Sequence, residues 1–173
     1  MWTGTTFNLI RREISTSRSF DEVVAAIEDR APLVVPEFNG SLVGRDTLEA
    51  LAAHRIDGGE LRRWIEARVG SSGMLLIMKV EHDVVLSHFG RKNRSVCYSI
   101  GNPLLSKDVF DATPKACLYA PLRIAVLENE KDGSTSVMFD SPESLLGSFG
   151  SDAARKIGDS LDQRMVELVE QAL

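Results

Sequence analysis

The residues with the most chemical potential fall between Gly73 and Pro103, in the run GMLLIMKVEHDVVLSHFGRKNRSVCYSIGNP. At its centre His82 stands between Glu81 and Asp83. An imidazole that titrates near neutrality suits proton transfer or anion binding, and a neighbouring carboxylate can set its charge. His82 follows a long apolar stretch, so a strand end would aim it from a rigid scaffold. The competing role is a histidine hydrogen-bonded for structure at a strand–helix junction, with Asp83 only capping the next helix. Gly101-Asn102-Pro103 is a turn signal at the end of the next strand-like run. Both features close adjacent runs, so they are expected in one neighbourhood, with His82 lining a concave pocket and Asn102 facing a ligand.

Tyr98, Tyr119 and Arg123 are the other candidate ligand contacts, reaching the pocket from the sheet. The two tyrosines and the arginine sit in alternating strand-like sequence, and Tyr119 and Arg123 share the less apolar face of the run from Leu118 to Leu127. Arg91, Lys92 and Arg94 make a small basic loop that can hold a carboxylate or phosphate or simply face solvent. His82 and His88 lie six residues apart, about 120° around a helix, which is poor metal-ligand geometry without a third ligand. No metal and no cofactor is expected. The sequence contains no Gly-rich phosphate loop, Ser-centred elbow or cysteine metal knuckle.

The elements that position these residues follow from periodicity. Phe7 to Ile14 reads as a first strand. Ser19 with Glu22 is a capping box that opens a helix with Phe20, Val23, Val24 and Ile27 on one face. Pro32 ends it; Leu33 to Val35 is a short apolar run before Pro36, and Asn39-Gly40 marks a turn. Two helices are expected between Asp46 and Val69, the first capped by Asp46 and carrying Leu48, Leu51 and Ala52, the second carrying Leu61, Trp64 and Ile65, with Gly58-Gly59 breaking the chain between them and Gly70 as a left-handed stop. Met74 to Val80 fits a strand covered on both faces or central in a sheet. Val96, Tyr98 and Ile100 give half-buried strand alternation. Leu104 to Phe110 reads as a helix, Lys131-Asp132-Gly133 as a hairpin, and Thr135 to Phe139 as its return strand. Pro121 places its part of the Leu118–Leu127 strand at an edge, bulge or beginning. Ser141 caps a short helix with Pro142 at its first position. Ser151 opens the longest helix, whose Ala154, Ile157, Leu161, Met165, Leu168, Val169 and Ala172 form a continuous stripe.

This adds up to an α+β fold: an antiparallel sheet with helices packed on it, a long C-terminal helix, and extra helices between Asp46 and Val69. At 173 residues one domain spanning 1–173 is the default. Net charge is −5, which argues against a broad nucleic-acid footprint. No apolar run approaches the roughly 20 residues of a membrane helix, and the N-terminus lacks the pattern of a secretory signal. Cys97 and Cys117 are the only cysteines, and both are expected to be buried thiols in a reducing cytoplasm.

Val80-Glu81-His82, Ser99-Ile100-Gly101-Asn102-Pro103 and Leu118-Tyr119-Ala120-Pro121-Leu122-Arg123, in that order, resemble the domain-of-unknown-function 302 family. Ser17-Arg18-Ser19-Phe20-Asp21-Glu22, Phe139-Asp140-Ser141-Pro142-Glu143-Ser144-Leu145-Leu146 and the Leu161-Asp162 pair extend the resemblance from about Phe7 to the end. The resemblance implies a small α+β fold, frequently dimeric, with no established activity. The family histidine commonly follows an aspartate; here Glu81 takes that place. The functional expectation is a small-molecule-binding domain with a mostly apolar pocket near His82 and the Gly101-Asn102-Pro103 turn, cytoplasmic and homodimeric, with no nucleic-acid or membrane partner. The alternatives are a cofactor-free isomerase, cyclase or lyase using His82 as general acid or base with Glu81 or Asp83 tuning it, and a structural or partner-binding subunit.

Overall fold

The computed structural model describes residues 1–33 and 57–173. The expected turn at Asn39-Gly40 and the helix capped by Asp46 lie outside the described residues.

Five strands form one antiparallel sheet: β1 (Arg11–Thr16), β2 (Leu75–Glu81), β3 (Ser95–Gly101), β4 (Leu122–Glu128) and β5 (Thr135–Asp140), in the order β1-β5-β4-β3-β2. Six helices accompany them among the described residues: α1 (Phe20–Arg30), α2 (Gly58–Glu66), α3 (His82–Leu86), α4 (Pro103–Ala112), α5 (Pro142–Gly147) and α6 (Asp152–Ala172). The chain is an α+β protein with a long C-terminal helix, as its periodicity predicts.

The main core lies between one face of the sheet and α1, α4, α5 and α6. Val96, Tyr98 and Ile100 of β3, Ile124 and Val126 of β4, and Val137 of β5 enter it from the sheet. Val23 and Ile27 of α1 and the Leu161, Met165 and Leu168 stripe of α6 close it from above. Burial of such a stripe is worth about 1.5–3 kcal/mol per large apolar side chain. A smaller cluster forms at one corner of the opposite face, where Ile65 of α2 meets Leu75 of β2. The rest of that opposite face carries Val80, Cys97, Ala125, Leu127 and Met138, all half-buried.

Local chemistry explains the helix starts. Ser19 Oγ accepts from Glu22 N and Glu22 Oε2 accepts from Ser19 N, completing the expected capping box. Asp57 and Glu60 form a second one, so the helix begins at Gly58 and runs through the glycine pair instead of being broken there. Ser151 Oγ accepts from Ala154 N at 3.2 Å. Ser141 does not cap α5 with its side chain; its backbone N donates to Ile10 O at 2.8 Å, joining the helix start to the segment before β1. Gly70 is not a left-handed stop either. It is needed because a Cβ there would lie 2.0 Å from Arg30 O.

Two strand expectations change. β4 starts at Leu122, after the cis Ala120–Pro121 bond, and Pro114–Leu118 is a 3-10 turn. Proline has no N–H for the ladder, so pairing begins one residue beyond it. Cys117 consequently sits exposed in that turn and is not a strand residue, while Cys97 is half-buried on β3. β2 is the last strand of the described sheet, not its centre. Only its first half is covered on both faces, with Leu75 and Leu76 fully buried.

Two ion pairs fasten the other edge. Arg12 of β1 grips the buried Asp162 of α6, its Nε donating to Oδ2 at 2.9 Å and Nη2 donating to the same oxygen at 2.5 Å. Arg11 Nε donates to Asp140 Oδ1 of β5 at 2.7 Å. They add to the ladder with β5, in which Arg11 to Thr16 pair with Asp140 to Thr135, in holding a largely exposed, charged strand on the sheet.

Candidate functional site

β2 and β3 are antiparallel, pairing Leu75 with Gly101 and Glu81 with Val96. The direction decides the site. His82 follows the end of β2, and Asn102 follows the end of β3, so the two lie at opposite ends of the sheet. They are separated by the length of β3, roughly 20 Å at 3.3–3.4 Å per residue. The expected meeting of His82 with the Gly101-Asn102-Pro103 turn therefore does not occur. His82 is exposed at the start of α3, as are Val84, Val85 and Phe89 beside it.

The flanking carboxylates do not converge on the imidazole. Glu81 pairs with Lys79 at 3.1 Å. Asp83 contributes to the field at Arg94, whose pKa is raised chiefly by its bond to Asp21 at 2.7 Å. Arg94 also lies over the Phe20 ring, 4.4 Å from its centre, so this member of the basic loop ties β3 to α1. The same end of the sheet holds a polar network that no local pattern in the chain announces. Tyr98 Oη donates to Glu28 Oε1 at 2.7 Å, and Lys79 Nζ reaches that oxygen at 3.0 Å. Burial, and then the bond to Glu28, push the Tyr98 pKa far up. For Lys79, burial opposes the charge, but bonds to Glu28 and Glu81 outweigh it and raise the pKa.

Tyr98 and Arg123 cannot serve one pocket. Tyr98 pairs with Ile124 and Ser99 with Arg123, so the tyrosine faces the core and the arginine the opposite side. Arg123 is exposed, and Tyr98 is fully buried.

The Asn102 end is different. Asn102 Oδ1 accepts from Leu104 N at 2.9 Å and caps α4, and Nδ2 donates to Gly73 O at 2.9 Å. One side chain thus joins the turn, the helix and the entry to β2. Beneath it opens an apolar slot. Met74, Ile100 and Leu122 form its sheet side, Leu105 and Val109 its α4 side, and Leu146 and Leu161 its far wall. Tyr119 and Pro121 stand at the rim, and Tyr119 is held by the Phe149 ring with centroids 5.4 Å apart. The total empty space, mouth included, is about 390 Å³. Only about 30 Å³ admits the centre of a water molecule, so the slot is narrow. Its lining contains no histidine, cysteine or charged residue.

Asn102 and Tyr119 are the candidates that this cavity brings together. The apolar walls were not among the candidate contacts, although Leu105 and Val109 are four residues apart on the helix that Pro103 starts. No group of three or more His, Cys, Asp or Glu suited to a metal ion occurs among the described residues. No helix among them is long and apolar enough to cross a membrane.

A five-stranded antiparallel sheet with most of its helices over one face and α2 at a corner of the other defines the α+β class of the fold. The profile of the family described as Domain of unknown function DUF302 matches residues 53–172, and the chain belongs to that family. Among solved structures, the crystal structure of an uncharacterized conserved DUF302 protein from Bacillus stearothermophilus is similar, with a TM-score of 0.63 and 13% identity. The alignment covers 94% of this chain and 98% of that one, which at such low identity establishes the shared fold. No curated protein matches the sequence.

Proposed function

We propose that this chain is a small-molecule-binding protein whose ligand enters the slot beneath the Asn102 turn. One observation carries the reading. This gap beside the core has walls that are almost wholly apolar, the usual character of a ligand pocket's lining. The lining offers no carboxylate, imidazole, thiol or amine for acid–base or nucleophilic chemistry, which favours binding over catalysis.

The test is native mass spectrometry of the protein purified from cells, beside Val109→Trp, which fills the slot. A retained mass present in the parent and absent from a folded Val109→Trp supports the reading. Equal retention by both, or an apolar screen that stabilises neither, refutes it.

The same reading includes a homodimer built on the open sheet face, where Val80, Cys97, Ala125, Leu127 and Met138 are only half-buried. Light scattering is expected to show twice the chain mass, and Leu127→Glu to halve it. A parent that is monomeric at high micromolar concentration refutes the dimer. The thiols of Cys97 and Cys117, neither in a disulfide, suit a reducing cytoplasmic setting.

A further inference from the structure

The sheet has two edges, and the chain treats them differently. On the outer side of β2, Leu76 N donates to Pro32 O at 3.0 Å, and Leu33 bridges Leu76. The bulge at Ile77 then breaks the register. A covering segment and a bulge both blunt an edge against further pairing. β1 has neither. It pairs with β5 in one unbroken register from Arg11–Asp140 to Thr16–Thr135, and it contains no proline. Ser141 N donates to Ile10 O, which extends that ladder and fixes its phase. Even-numbered residues of the strand turn their backbone groups to β5, so Arg11, Glu13 and Ser15 turn theirs outward. Those N–H and C=O groups have no backbone partner among the described residues.

A hollow runs along the helix side of the same strand. Its walls are Ile10 and Ile14 along the edge, Val137 and Phe139 of β5, and Val166 and Val169 of α6. About 330 Å³ of it admits the centre of a water molecule, against about 30 Å³ in the slot, so side chains of valine size fit here. Ile10 and Ile14 are 47% and 43% exposed, which leaves apolar surface open beside the unpaired backbone.

Charge narrows the choice of occupant. The arginines that could repel an incoming strand are turned back on their own chain, Arg11 to Asp140 and Arg12 to Asp162. Glu13 lies opposite Met138 on the open side of the sheet, and Glu170 stands at the hollow. Neither makes an ion pair among the described residues. Four carboxylates therefore face two guanidiniums, and the edge is net negative.

We propose that β1 is a docking edge for an extended peptide of a partner protein, one that alternates β-branched apolar residues with a lysine or arginine. The peptide adds antiparallel to β1, as every other strand pair in the sheet runs, and main-chain bonds to Arg11, Glu13 and Ser15 hold it. Its apolar side chains enter the hollow opposite Arg12 and Ile14. Its cation stands opposite Glu13 on the open side. This surface is separate from the slot beneath Asn102, and the proposal does not depend on that site.

The experiment is fluorescence anisotropy of a labelled, end-capped heptapeptide, Val-Thr-Val-Lys-Val-Thr-Val, titrated with the full chain. Replacing its lysine with glutamate is expected to weaken binding about fivefold or more, because one cross-strand charge pair changes from attractive to repulsive. Glu13→Lys should reverse that preference, and since Glu13 is exposed the variant is expected to fold. N-methylation of the lysine and threonine amides, whose N–H groups point to β1, should abolish binding. The same modification of the two central valines, whose N–H groups point away, should cost much less. Ile14→Asp should leave the light-scattering mass of the chain alone unchanged. Equal binding of the lysine and glutamate peptides, a preference that Glu13→Lys does not move, equal sensitivity to the two methylation patterns, or no binding overturns the proposal. A lower mass for Ile14→Asp would put a second copy of the chain on this edge and overturn it too.

Discussion

Replacing Gly158 with alanine would put a methyl group where the backbone of α5 already lies. A Cβ at this position falls 2.6 Å from Pro142 O and 2.8 Å from Glu143 Cα. Both neighbours are main-chain atoms, so no side chain can rotate away; α5 and α6 must separate. Two effects oppose each other. Alanine is favoured over glycine inside a helix by about 1 kcal/mol. Overpacking a close contact typically costs about 1–3 kcal/mol, and a clash against backbone belongs at the upper end. The net loss should be about 1–2 kcal/mol. In a chain of this size each kcal/mol corresponds to about 2–4 °C in the melting midpoint. Gly58→Ala is the matching control, since nothing lies within 4 Å of a Cβ there, and it should be neutral or slightly stabilising. Urea denaturation of the three proteins gives the comparison. A Gly158→Ala protein as stable as the parent would show that the helix contact is not fixed by this glycine.

Arg12→Ala removes the guanidinium that satisfies the buried Asp162. It should cost about 1–3 kcal/mol, the penalty for an unsatisfied buried acceptor, and Asp162→Asn should recover part of that loss in the Arg12→Ala background; no change in urea midpoint would refute the role. Burial and the bond to Glu28 raise the Tyr98 pKa in the folded state. Stability from that group is therefore fully present below the unfolded tyrosine value of about 10 and declines as pH rises above it. Absorbance at 295 nm should show Tyr98 ionising only together with unfolding, and a reversible titration of both tyrosines in the folded protein would contradict this. Cys117 is exposed, whereas burial pushes the Cys97 thiol pKa up despite the opposing charge of Arg123. A thiol reagent should modify Cys117 first and Cys97 much more slowly; the reverse order would place the turn or the sheet face wrongly.

The elements that could be read from the chain are those whose side chains repeat. The α6 stripe and the Val96, Tyr98, Ile100 alternation of β3 bury the residues that their periods select. Boundaries failed where a single backbone property intervened, as at Pro121, whose missing N–H delays β4 to Leu122. The candidate site was half legible. The Gly101-Asn102-Pro103 turn is a real junction because one amide side chain satisfies both α4 and Gly73. Its pairing with His82 assumed that successive strand ends meet, whereas antiparallel strands send them apart. The Tyr98–Glu28–Lys79 network was hidden because it joins three elements distant in sequence, and only the folded sheet makes them neighbours.

The register of β2 slips between Leu76 and Met78, where Leu76 opposes Ile100 and Met78 opposes Ser99. Ile77 is the extra residue of this bulge. Beyond it, Lys79 and Glu81 point to the helix side, and Met78 and Val80 to the open side. One residue therefore sets the phase of the rest of the strand. Deleting Ile77 would remove the bulge and leave the pairs on either side in place, with Leu76 still facing the core and Met78 the open side; drawing Ile77 into the ladder would instead turn Met78 and Val80 inward and Lys79 and Glu81 outward, parting Lys79 from Glu28. The bulge therefore absorbs one residue of chain length without changing the polarity of either surface. Relatives that differ by a residue here should be aligned by which side of the sheet each side chain faces, because matching by count alone would equate a core residue with a surface one.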